Sequence, residues 1–234
     1  MTESNKPAIA FLGTGLMGLP MCRCLLKNGF GLTVWNRSPE KTEVLQEDGV
    51  IIASSPAEAV VDADVIITML SDGGAVEDVI FQQEVAEVIA GGSTHIDMSS
   101  IGADEAMDHA KRHIQRGVHY LDAPVSGGTK GAAAGELAIM VGGEPEIFSA
   151  MGSVFEAMGH ATHVGPNGCG QIAKLANQMI VAITIGAVSE AFILAGGGGA
   201  DRAQVREALQ GGFASSRILT EHGKRMVDRN FQPG

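Results

Sequence analysis

Short apolar runs alternate with longer segments of helical period along the first two thirds of the chain. The apolar runs predict strands at Ala8–Leu12, Leu32–Trp35, Ile51–Ala53, Val65–Met69, Thr94–Asp97, His119–Asp122, Leu137–Val141 and Ala161–Val164. The segments between them predict helices that run to about Asn28, from Pro56, and over Val76–Ile89, Ala103–Arg116 and Glu144–Met158. This alternation, with the fully apolar strand VIITM, predicts an α/β fold whose parallel sheet is covered by helices on both faces.

The segment from Gly165 to Ala195 predicts one long helix behind a glycine-rich start. It carries no charge between Lys174 and Glu190, so other parts of the protein or a second subunit must bury its sides. Lys174 and Asn177 stand three residues apart and share a face, which brings an ammonium group and an amide together. The simpler alternative is a buried helix whose lysine reaches out to solvent.

A membrane-spanning role is not expected for this helix. Its apolar part, Leu175–Ser189, is shorter than the roughly 20 residues that a span requires. It also contains the polar residues Asn177 and Gln178.

Length and charge narrow the class of protein. The 234 residues exceed one average domain but hardly fill two, so we expect a full-sized domain over 1–165 and a smaller or incomplete one over 166–234. The net charge of -11 and the lack of a Lys/Arg run exclude nucleic acid as an expected partner. Met1–Lys6 is polar and the first apolar run is too short for a signal peptide, so we expect a cytoplasmic protein.

The cysteines and histidines do not predict a metal site. Cys22, Cys24 and Cys169 lack metal-ligand spacing and are interpreted as reduced structural residues. His109 and His113 have a spacing that can bind metal, but the charged sequence around them is typical of a solvated helix face.

The first predicted strand is followed at once by a glycine-rich turn, GTGLMG, and a helix. Gly13 permits the tight turn, Gly15 lets the backbone approach a pyrophosphate, and Gly18 lets the helix meet the strand. The helix start, with Leu16 and Met17, offers amide donors to phosphate. The turn therefore predicts a dinucleotide-binding site.

The end of the second strand bears on the choice of cofactor. Asn36 lies where an NAD site would place its acidic residue, and it has no carboxylate to bind a ribose 2′-hydroxyl. Arg37 can pair with a 2′-phosphate, and Ser38 follows it. These residues favour NADP over NAD. The alternative is that Ser38 and Pro39 only begin the next helix.

Three further loops follow strands whose carboxyl ends lie at the ligand-binding edge of such a sheet. They are Leu70-Ser71-Asp72, Ser99-Ser100 and Pro124-Val125-Ser126-Gly127-Gly128, and the strand end Met69 is predicted to contact the cofactor with the first of them. In the last loop Ser126 offers a hydroxyl, and Gly127 and Gly128 offer backbone N–H groups, as a small carboxylate would require. A plain glycine turn is the alternative.

Four motifs in this order resemble the β-hydroxyacid dehydrogenase family, which includes 3-hydroxyisobutyrate dehydrogenases and tartronate semialdehyde reductases. They are FLGTGLMGLPM at the glycine-rich turn, DMSS at Asp97–Ser100, DAPVSGG at Asp122–Gly128, and GxGxxxKLANQ at Gly168–Gln178. The stretches LQGGFASSRIL and RMVDRNFQPG, within Leu209–Gly234, most resemble the tartronate semialdehyde (2-hydroxy-3-oxopropionate) reductases.

The resemblance implies a Rossmann-type doubly wound sheet followed by an all-α domain, and it implies roles for single residues. Lys174 resembles the catalytic acid/base and Asn177 its substrate-orienting partner. Ser126 to Gly128 resemble a carboxylate-binding loop, and Ser100 resembles a cofactor contact near the nicotinamide. The family continues beyond FQPG with further helices and a second lysine, so the all-α domain is expected to be truncated.

The implied activity is NADPH-dependent reduction of a small carboxylate-bearing semialdehyde, above all tartronate semialdehyde to D-glycerate. The alternatives are a 3-hydroxyisobutyrate dehydrogenase, a succinic semialdehyde or glyoxylate reductase, an imine reductase, and a non-catalytic NADP-binding module. Lys174 argues against the last two. Because the long helix is too apolar to face water, a homodimer or homotetramer is expected.

Overall fold

The computed structural model describes residues 6–232. The chain divides after Lys174 into two compact units, 1–174 and 175–234. The expectations for the polar chain start and for the FQPG end fall in part on residues 1–5 and 233–234, which lie outside the described residues. The expected domain boundary between residues 165 and 166 stays a prediction.

The described residues of the first unit form a nine-stranded sheet. Its strands are β1 (Ile9–Leu12), β2 (Leu32–Trp35), β3 (Ile51–Ile52), β4 (Val65–Thr68), β5 (Thr94–Asp97), β6 (His119–Asp122), β7 (Val125–Ser126), β8 (Leu137–Gly142) and β9 (Gly159–Gly165).

The strand order begins β3-β2-β1-β4-β5-β6, and these six strands are parallel. This order defines the Rossmann-type doubly wound sheet, so the predicted fold is confirmed for this half. The expectation of a parallel sheet is wrong further on, because β8 runs antiparallel to β6 and β7. The two-residue strand β7, Val125–Ser126, was not predicted either.

The helices are α1 (Gly18–Lys27), α2 (Glu40–Glu43), α3 (Pro56–Val60), α4 (Gly73–Ile80), α5 (Gln83–Ala86), α6 (Ala103–Ile114), α7 (Gly128–Ala134), α8 (Pro145–Ala150), α9 (Gly152–Glu156), α10 (Cys169–Gly197), α11 (Arg202–Gln210) and α12 (Arg217–Val227). A 3₁₀ turn covers Gln46–Asp48.

Two helices that were predicted as continuous are each split in two. The segment predicted over Val76–Ile89 already begins at Gly73, because the Ala75 amide donates to Asp72 Oδ1 at 2.8 Å and caps the helix there. It stops at Ile80 and resumes at Gln83. The segment predicted over Glu144–Met158 breaks at Met151, just before a glycine, into α8 and α9.

Two apolar clusters lie on opposite faces of the sheet. Along β1, Ile9 and Phe11 belong to one cluster, while Ala10 and Leu12 belong to the other. Successive side chains of a strand point to opposite faces, so every residue of β1 is buried. The prediction that both faces are covered is confirmed.

The second unit is helical. Phe192 and Val188 of α10 pack with Leu219 of α12. Arg202 Nε donates to the Phe192 carbonyl at 3.0 Å, and Arg206 donates to the Leu219 carbonyl at 3.3 Å. Side chains from all three helices therefore hold this unit together.

Helix α10 is long and apolar. Among the described residues it is the one helix that could cross a membrane by length and composition, a property that core helices of globular proteins share. Large apolar side chains along it are exposed, among them Met179, Ile183 and Leu194. These side chains form an uncovered apolar surface on the single chain.

The expectation that His109 and His113 lie on a solvated helix face is wrong. Both are buried, at 3% and 2% exposure, on the side of α6 that packs on the sheet. His113 Nε2 lies 2.9 Å from Nδ1 of the buried His95. The His109 ring lies 4.6 Å from that of Phe81, and its Nε2 is 3.6 Å from a Glu77 carboxylate oxygen. His109 and His113 are therefore buried against aromatic and imidazole side chains of neighbouring elements.

Hydrogen bonds fix how the buried histidines are protonated. The Thr68 hydroxyl donates to Asp97 Oδ1 at 2.8 Å, so it must accept from His95 Nε2, which lies 2.9 Å away. His95 Nδ1 is then an acceptor for the His113 Nε2–H. Burial lowers the pKa of His113 to about 3, with smaller contributions from His109 and from the nearby arginines. His95 and His113 are therefore neutral in the folded state near pH 7.

Acid is expected to destabilise the fold through this cluster. The pKa of His113 is about 3 when folded and about 6.5 when unfolded, so its contribution is complete above pH 6.5 and is lost as pH falls. The urea midpoint should therefore decrease between pH 7 and pH 5.

His113→Phe removes this titrating group but leaves His95 Nδ1 without a donor. We expect a cost of about 1–3 kcal/mol at pH 7 and a shallower pH dependence. The exposed-site variant His160→Gln should behave as the wild type. An equal pH dependence in His113→Phe and the wild type would contradict this account.

Candidate active site

The glycine-rich turn between β1 and α1 has no room for larger residues at two positions. A Cβ at Gly13 would lie 2.3 Å from the Met69 carbonyl oxygen, and the φ of Gly13 is +107°. A Cβ at Gly18 would lie 1.9 Å from the Gly13 carbonyl oxygen. A Cβ at Gly15 would meet open space, so this position is open to a ligand rather than to protein. The turn therefore fits a dinucleotide pyrophosphate.

The end of β2 braces this turn. Asn36 Oδ1 accepts from the Thr14 amide at 3.1 Å, and Asn36 Nδ2 donates to the Ser38 carbonyl at 3.0 Å. Asn36 thus supports the turn, a role that the sequence did not reveal. Arg37 follows it and is exposed.

Arg37 lies near the loop that follows β4. The Ala75 amide and the Ser71 hydroxyl lower the pKa of Asp72 through hydrogen bonds, and the charge of Arg37 lowers it further by a smaller amount. The guanidinium is therefore at the same edge of the sheet as the glycine-rich turn.

Hydrogen bonds join the segments that follow β1, β4 and β5 to neighbouring strands and loops. The Gly13 amide donates to the Trp35 carbonyl at 2.9 Å, and the Met69 amide donates to the Leu12 carbonyl at 2.9 Å. The Leu70 amide donates to Ser99 Oγ at 3.0 Å. The predicted cofactor residues on these loops are Leu16, Met17, Met69, Leu70, Ser71 and Ser100, of which Leu16, Ser71 and Ser100 are exposed.

Lys174 reaches the loop that follows β6. Its Nζ donates to the Val125 carbonyl at 2.7 Å, and the next residue in that loop is Ser126. The side chain is half-buried, and burial lowers the pKa of the amine. The structure thus joins the predicted catalytic lysine to the start of the predicted carboxylate loop, Ser126–Gly128.

Gly127 and Gly128 connect β7 to α7. Gly127 precedes the first residue of the helix, and neither residue has a side chain to cover its amide. Asn177 lies one turn beyond Lys174 on α10 and belongs to the second unit. Its amide nitrogen donates to Gln178 Oε1 at 3.0 Å.

Two buried polar residues of this site were not assigned a role from the sequence. Asp122 ends β6, and Gln171 lies in the first turn of α10. Asp122 lies in the DAPVSGG motif and Gln171 in the GxGxxxKLANQ motif. Their side chains bond to backbone groups far away in the sequence, so the motifs alone did not predict these contacts.

Groups of three metal-ligating residues are not found among residues 6–232, and the three cysteines are free. A Rossmann-type sheet, a glycine-rich turn that fits a pyrophosphate, and a lysine at the same sheet edge define an oxidoreductase that uses a nicotinamide dinucleotide.

Comparisons with known proteins agree. Residues 8–167 match the family model for the NAD-binding domain of 6-phosphogluconate dehydrogenase. Residues 168–234 match that for the NAD-binding region of NADP-dependent 3-hydroxyisobutyrate dehydrogenase.

Relatives match nearly the whole chain. The 2-hydroxy-3-oxopropionate reductase of Escherichia coli K12 is 44% identical over 97% of this chain and 78% of its own. The glyoxylate/succinic semialdehyde reductase 1 of Arabidopsis thaliana is 33% identical over 96% of this chain and 78% of its own.

Solved structures show the same fold. The 3-hydroxyisobutyrate dehydrogenase of Mycobacterium tuberculosis with L-serine matches with a TM-score of 0.89 and 33% identity, over 97% of this chain and 80% of that one. An imine reductase from Pseudomonas sp. matches with a TM-score of 0.80 and 28% identity, over 96% and 77%. The chain belongs to the β-hydroxyacid dehydrogenase family and is an NAD(P)-dependent oxidoreductase, which confirms the predicted family and enzyme class.

Two glycine substitutions should separate cofactor binding from folding. Gly15→Ala adds a methyl group in open space, so the free energy of unfolding should change by less than about 0.5 kcal/mol. The same methyl group would lie where a pyrophosphate is expected to approach, so NADPH affinity should fall at least about tenfold.

Gly18→Ala instead forces a clash with the Gly13 carbonyl and should lower the unfolding free energy by about 1–3 kcal/mol. Urea titration and NADPH fluorescence measure the two quantities. Unchanged NADPH binding by Gly15→Ala would remove this turn from the cofactor site.

Proposed function

We propose that this protein is an NADPH-dependent reductase of a small carboxylate-bearing semialdehyde, with tartronate semialdehyde as substrate and D-glycerate as product. The contact between Lys174 Nζ and the Val125 carbonyl, 2.7 Å, carries the proposal, because it sets a proton donor beside a loop suited to a carboxylate. The 44% identity to a relative named 2-hydroxy-3-oxopropionate reductase supports the choice of substrate.

Lys174 serves as the general acid. When bound, the reduced nicotinamide would supply a hydride for the aldehyde carbon. Lys174 polarises the carbonyl oxygen and gives it a proton, so the aldehyde gains one hydride and one proton and becomes an alcohol. Its half-buried position lowers the pKa of the ammonium, which makes it a better acid near neutral pH.

The substrate carboxylate binds at Ser126, Gly127 and Gly128. The Ser126 hydroxyl and the two glycine amides are donors that a carboxylate accepts from, and no side chain of the glycines obstructs it. Asn177 orients the substrate through its side-chain amide. This arrangement suits a substrate of a few carbon atoms with its carboxylate close to the aldehyde.

Residues along the sheet edge would hold NADPH. Gly13, Gly15, Leu16, Met17 and Gly18 would bind the pyrophosphate at the start of α1. Asn36, Arg37 and Ser38 would bind at the adenosine ribose, where Arg37 would pair with the 2′-phosphate. Met69, Leu70, Ser71 and Ser100 would contact the cofactor toward its nicotinamide.

Other activities of the family remain as alternatives. The relative from Arabidopsis named glyoxylate/succinic semialdehyde reductase supports glyoxylate or succinic semialdehyde as an alternative substrate. The 3-hydroxyisobutyrate dehydrogenase structure supports that dehydrogenase activity as another alternative. Imine reduction has support from one structure at 28% identity, but Lys174 argues against it and against a non-catalytic module. Competition among tartronate, succinic and methylmalonate semialdehydes decides between the carboxylate substrates.

The protein acts in the cytoplasm as a homodimer or homotetramer, without membrane or nucleic-acid partners. The exposed apolar side chains of α10 support assembly, because contact between subunits would remove them from water. A molecular mass by sedimentation equilibrium equal to that of one chain would contradict the proposed homo-oligomer.

Lys174→Ala should reduce kcat for tartronate semialdehyde by about 10² to 10⁴ and leave NADPH affinity within a few-fold, because it removes the proton donor alone. Lys174→Arg should lose activity similarly, since a guanidinium does not release its proton. The exposed-lysine variant Lys111→Ala is the control. Near-normal turnover in Lys174→Ala removes this residue from the mechanism.

Arg37→Ala should weaken NADPH binding by about 10- to 100-fold, because a charge-assisted contact to phosphate contributes roughly 1.5–3 kcal/mol. NADH, which lacks the 2′-phosphate, should bind with nearly unchanged affinity. Arg116→Ala is the matched exposed control. Equal losses for both cofactors would show that Arg37 does not recognise the phosphate.

A further inference from the structure

Gln171 is a polar residue with 1% exposure, in the first turn of the helix that carries Lys174. Both functional groups of its side chain bond to one loop. Its Nε2 donates to the Ser99 carbonyl at 2.9 Å, and its Oε1 accepts from the Ile101 amide at 3.2 Å. The side chain therefore ties α10 to the backbone on either side of Ser100.

The loop that Gln171 holds is itself fixed to the sheet. The Ser99 amide donates to Asp97 Oδ1 at 3.0 Å, and Ser99 Oγ accepts from the Leu70 amide at 3.0 Å. Ser99 and Asp97 are fully buried. The Ser99–Ile101 loop thus has one position relative to the loop after β4, and Gln171 extends this order to α10.

Asp122 anchors the start of the same helix from the sheet. Its Oδ1 accepts from the Gly168 amide at 2.8 Å, and its Oδ2 accepts from the Gln171 amide at 3.0 Å. Amides of a first helical turn have no partner within the helix, and a carboxylate is favoured there. A Cβ at Gly170 would lie 2.4 Å from the Asp122 carbonyl oxygen, so the helix also touches the sheet backbone.

Lys174 follows Gln171 by three residues on this helix, and its amine contacts the Val125 carbonyl. A helical turn is stiff, so a change in the position of its start moves the lysine with it. The contacts of Gln171 and Asp122 therefore determine where the amine lies between the Ser99–Ile101 loop and the loop after β6.

We propose that Gln171 is a positioning residue that fixes Lys174 relative to the Ser99–Ile101 loop, and that Asp122 anchors the helix start on which this depends. The effect on catalysis rests on the proposed function, in which Lys174 is the general acid and Ser100 contacts the cofactor. The effect on the lysine itself does not depend on that function.

Gln171→Met keeps the length of the side chain and removes both hydrogen bonds. We expect kcat to fall by about 10- to 100-fold, since a displacement of about 1 Å can cost this much. NADPH affinity should change by less than threefold, and the isotope effect with NADPH deuterated at C4 should rise because hydride transfer becomes slower. Gln83→Met, at an exposed glutamine, is the control.

Asp122→Asn is the second variant, because it keeps the shape of the side chain but replaces one acceptor oxygen with an amide NH₂ group, which can only donate. It should lower kcat in the same way, and Asp62→Asn is its exposed control. Since it alters the anchor and not the Gln171 side chain, it tests the proposal even where Gln171→Met does not fold.

A readout without turnover is the pH profile of Lys174 acylation, followed by peptide mass spectrometry. The exposed Lys111 is the internal standard. In both variants the midpoint for Lys174 should shift upward toward the usual range of lysine, because the amine leaves its half-buried position. Midpoints equal to the wild type in folded variants would overturn the proposal, and so would wild-type kcat with an unchanged isotope effect.

The same experiment separates this proposal from the proposed function. Wild-type protein that reduces none of the semialdehydes would contradict the function. The acylation midpoints would still show whether Gln171 and Asp122 position the lysine.

Discussion

The structure depends most on the two hydrogen bonds that Asp122 accepts from the start of α10. They join the end of β6 to the helix that carries Lys174. Asp122 is the register partner of Asp97, so two buried carboxylates end neighbouring strands at the same edge. Asp97 accepts a hydrogen bond from the Ser99 amide, and Asp122 accepts one from the Gly168 amide just before α10 and one from the Gln171 amide in its first turn. Each carboxylate thus fixes the backbone of one element of the candidate active site.

This pairing of carboxylates has an electrostatic cost. Burial raises the pKa of both Asp97 and Asp122, and the charge of Asp97 raises that of Asp122 further. Hydrogen bonds oppose these shifts, at Asp97 chiefly from the Ser99 and Thr68 side chains and at Asp122 from backbone amides. A conformation without these hydrogen bonds would leave a buried carboxylate charge without partners, which is unfavourable. The two carboxylates therefore hold the loop after β5 and the start of α10 in one position.

Local pattern was sufficient for the first six strands, the glycine-rich turn and the long helix. Each of these is specified by neighbouring residues, such as the apolar run of β4 or the glycines at 13, 15 and 18. The same pattern failed at His109 and His113, because a histidine counts as polar in the sequence. Whether it is buried depends on His95 and Tyr120, which are brought near by the fold.

The candidate site was predictable in the same uneven way. Lys174 and the Ser126–Gly128 loop stand out as a cation in an apolar helix and as glycines after a strand, and Lys174 contacts the carbonyl of Val125, the residue just before that loop. The short strand β7 and the roles of Asp122 and Gln171 did not stand out. The partners of the Asp122 and Gln171 side chains are backbone amides and carbonyls 46 to 72 residues away, and every residue type carries such groups, so the sequence does not reveal them.

The most direct test of the account is a single turnover of tartronate semialdehyde with NADPH that carries deuterium at both C4 positions. The products are analysed by mass spectrometry and NMR. The account predicts D-glycerate with one deuterium on the carbon that was the aldehyde. Glycerate without deuterium, or unchanged aldehyde in the presence of bound NADPH, would contradict it.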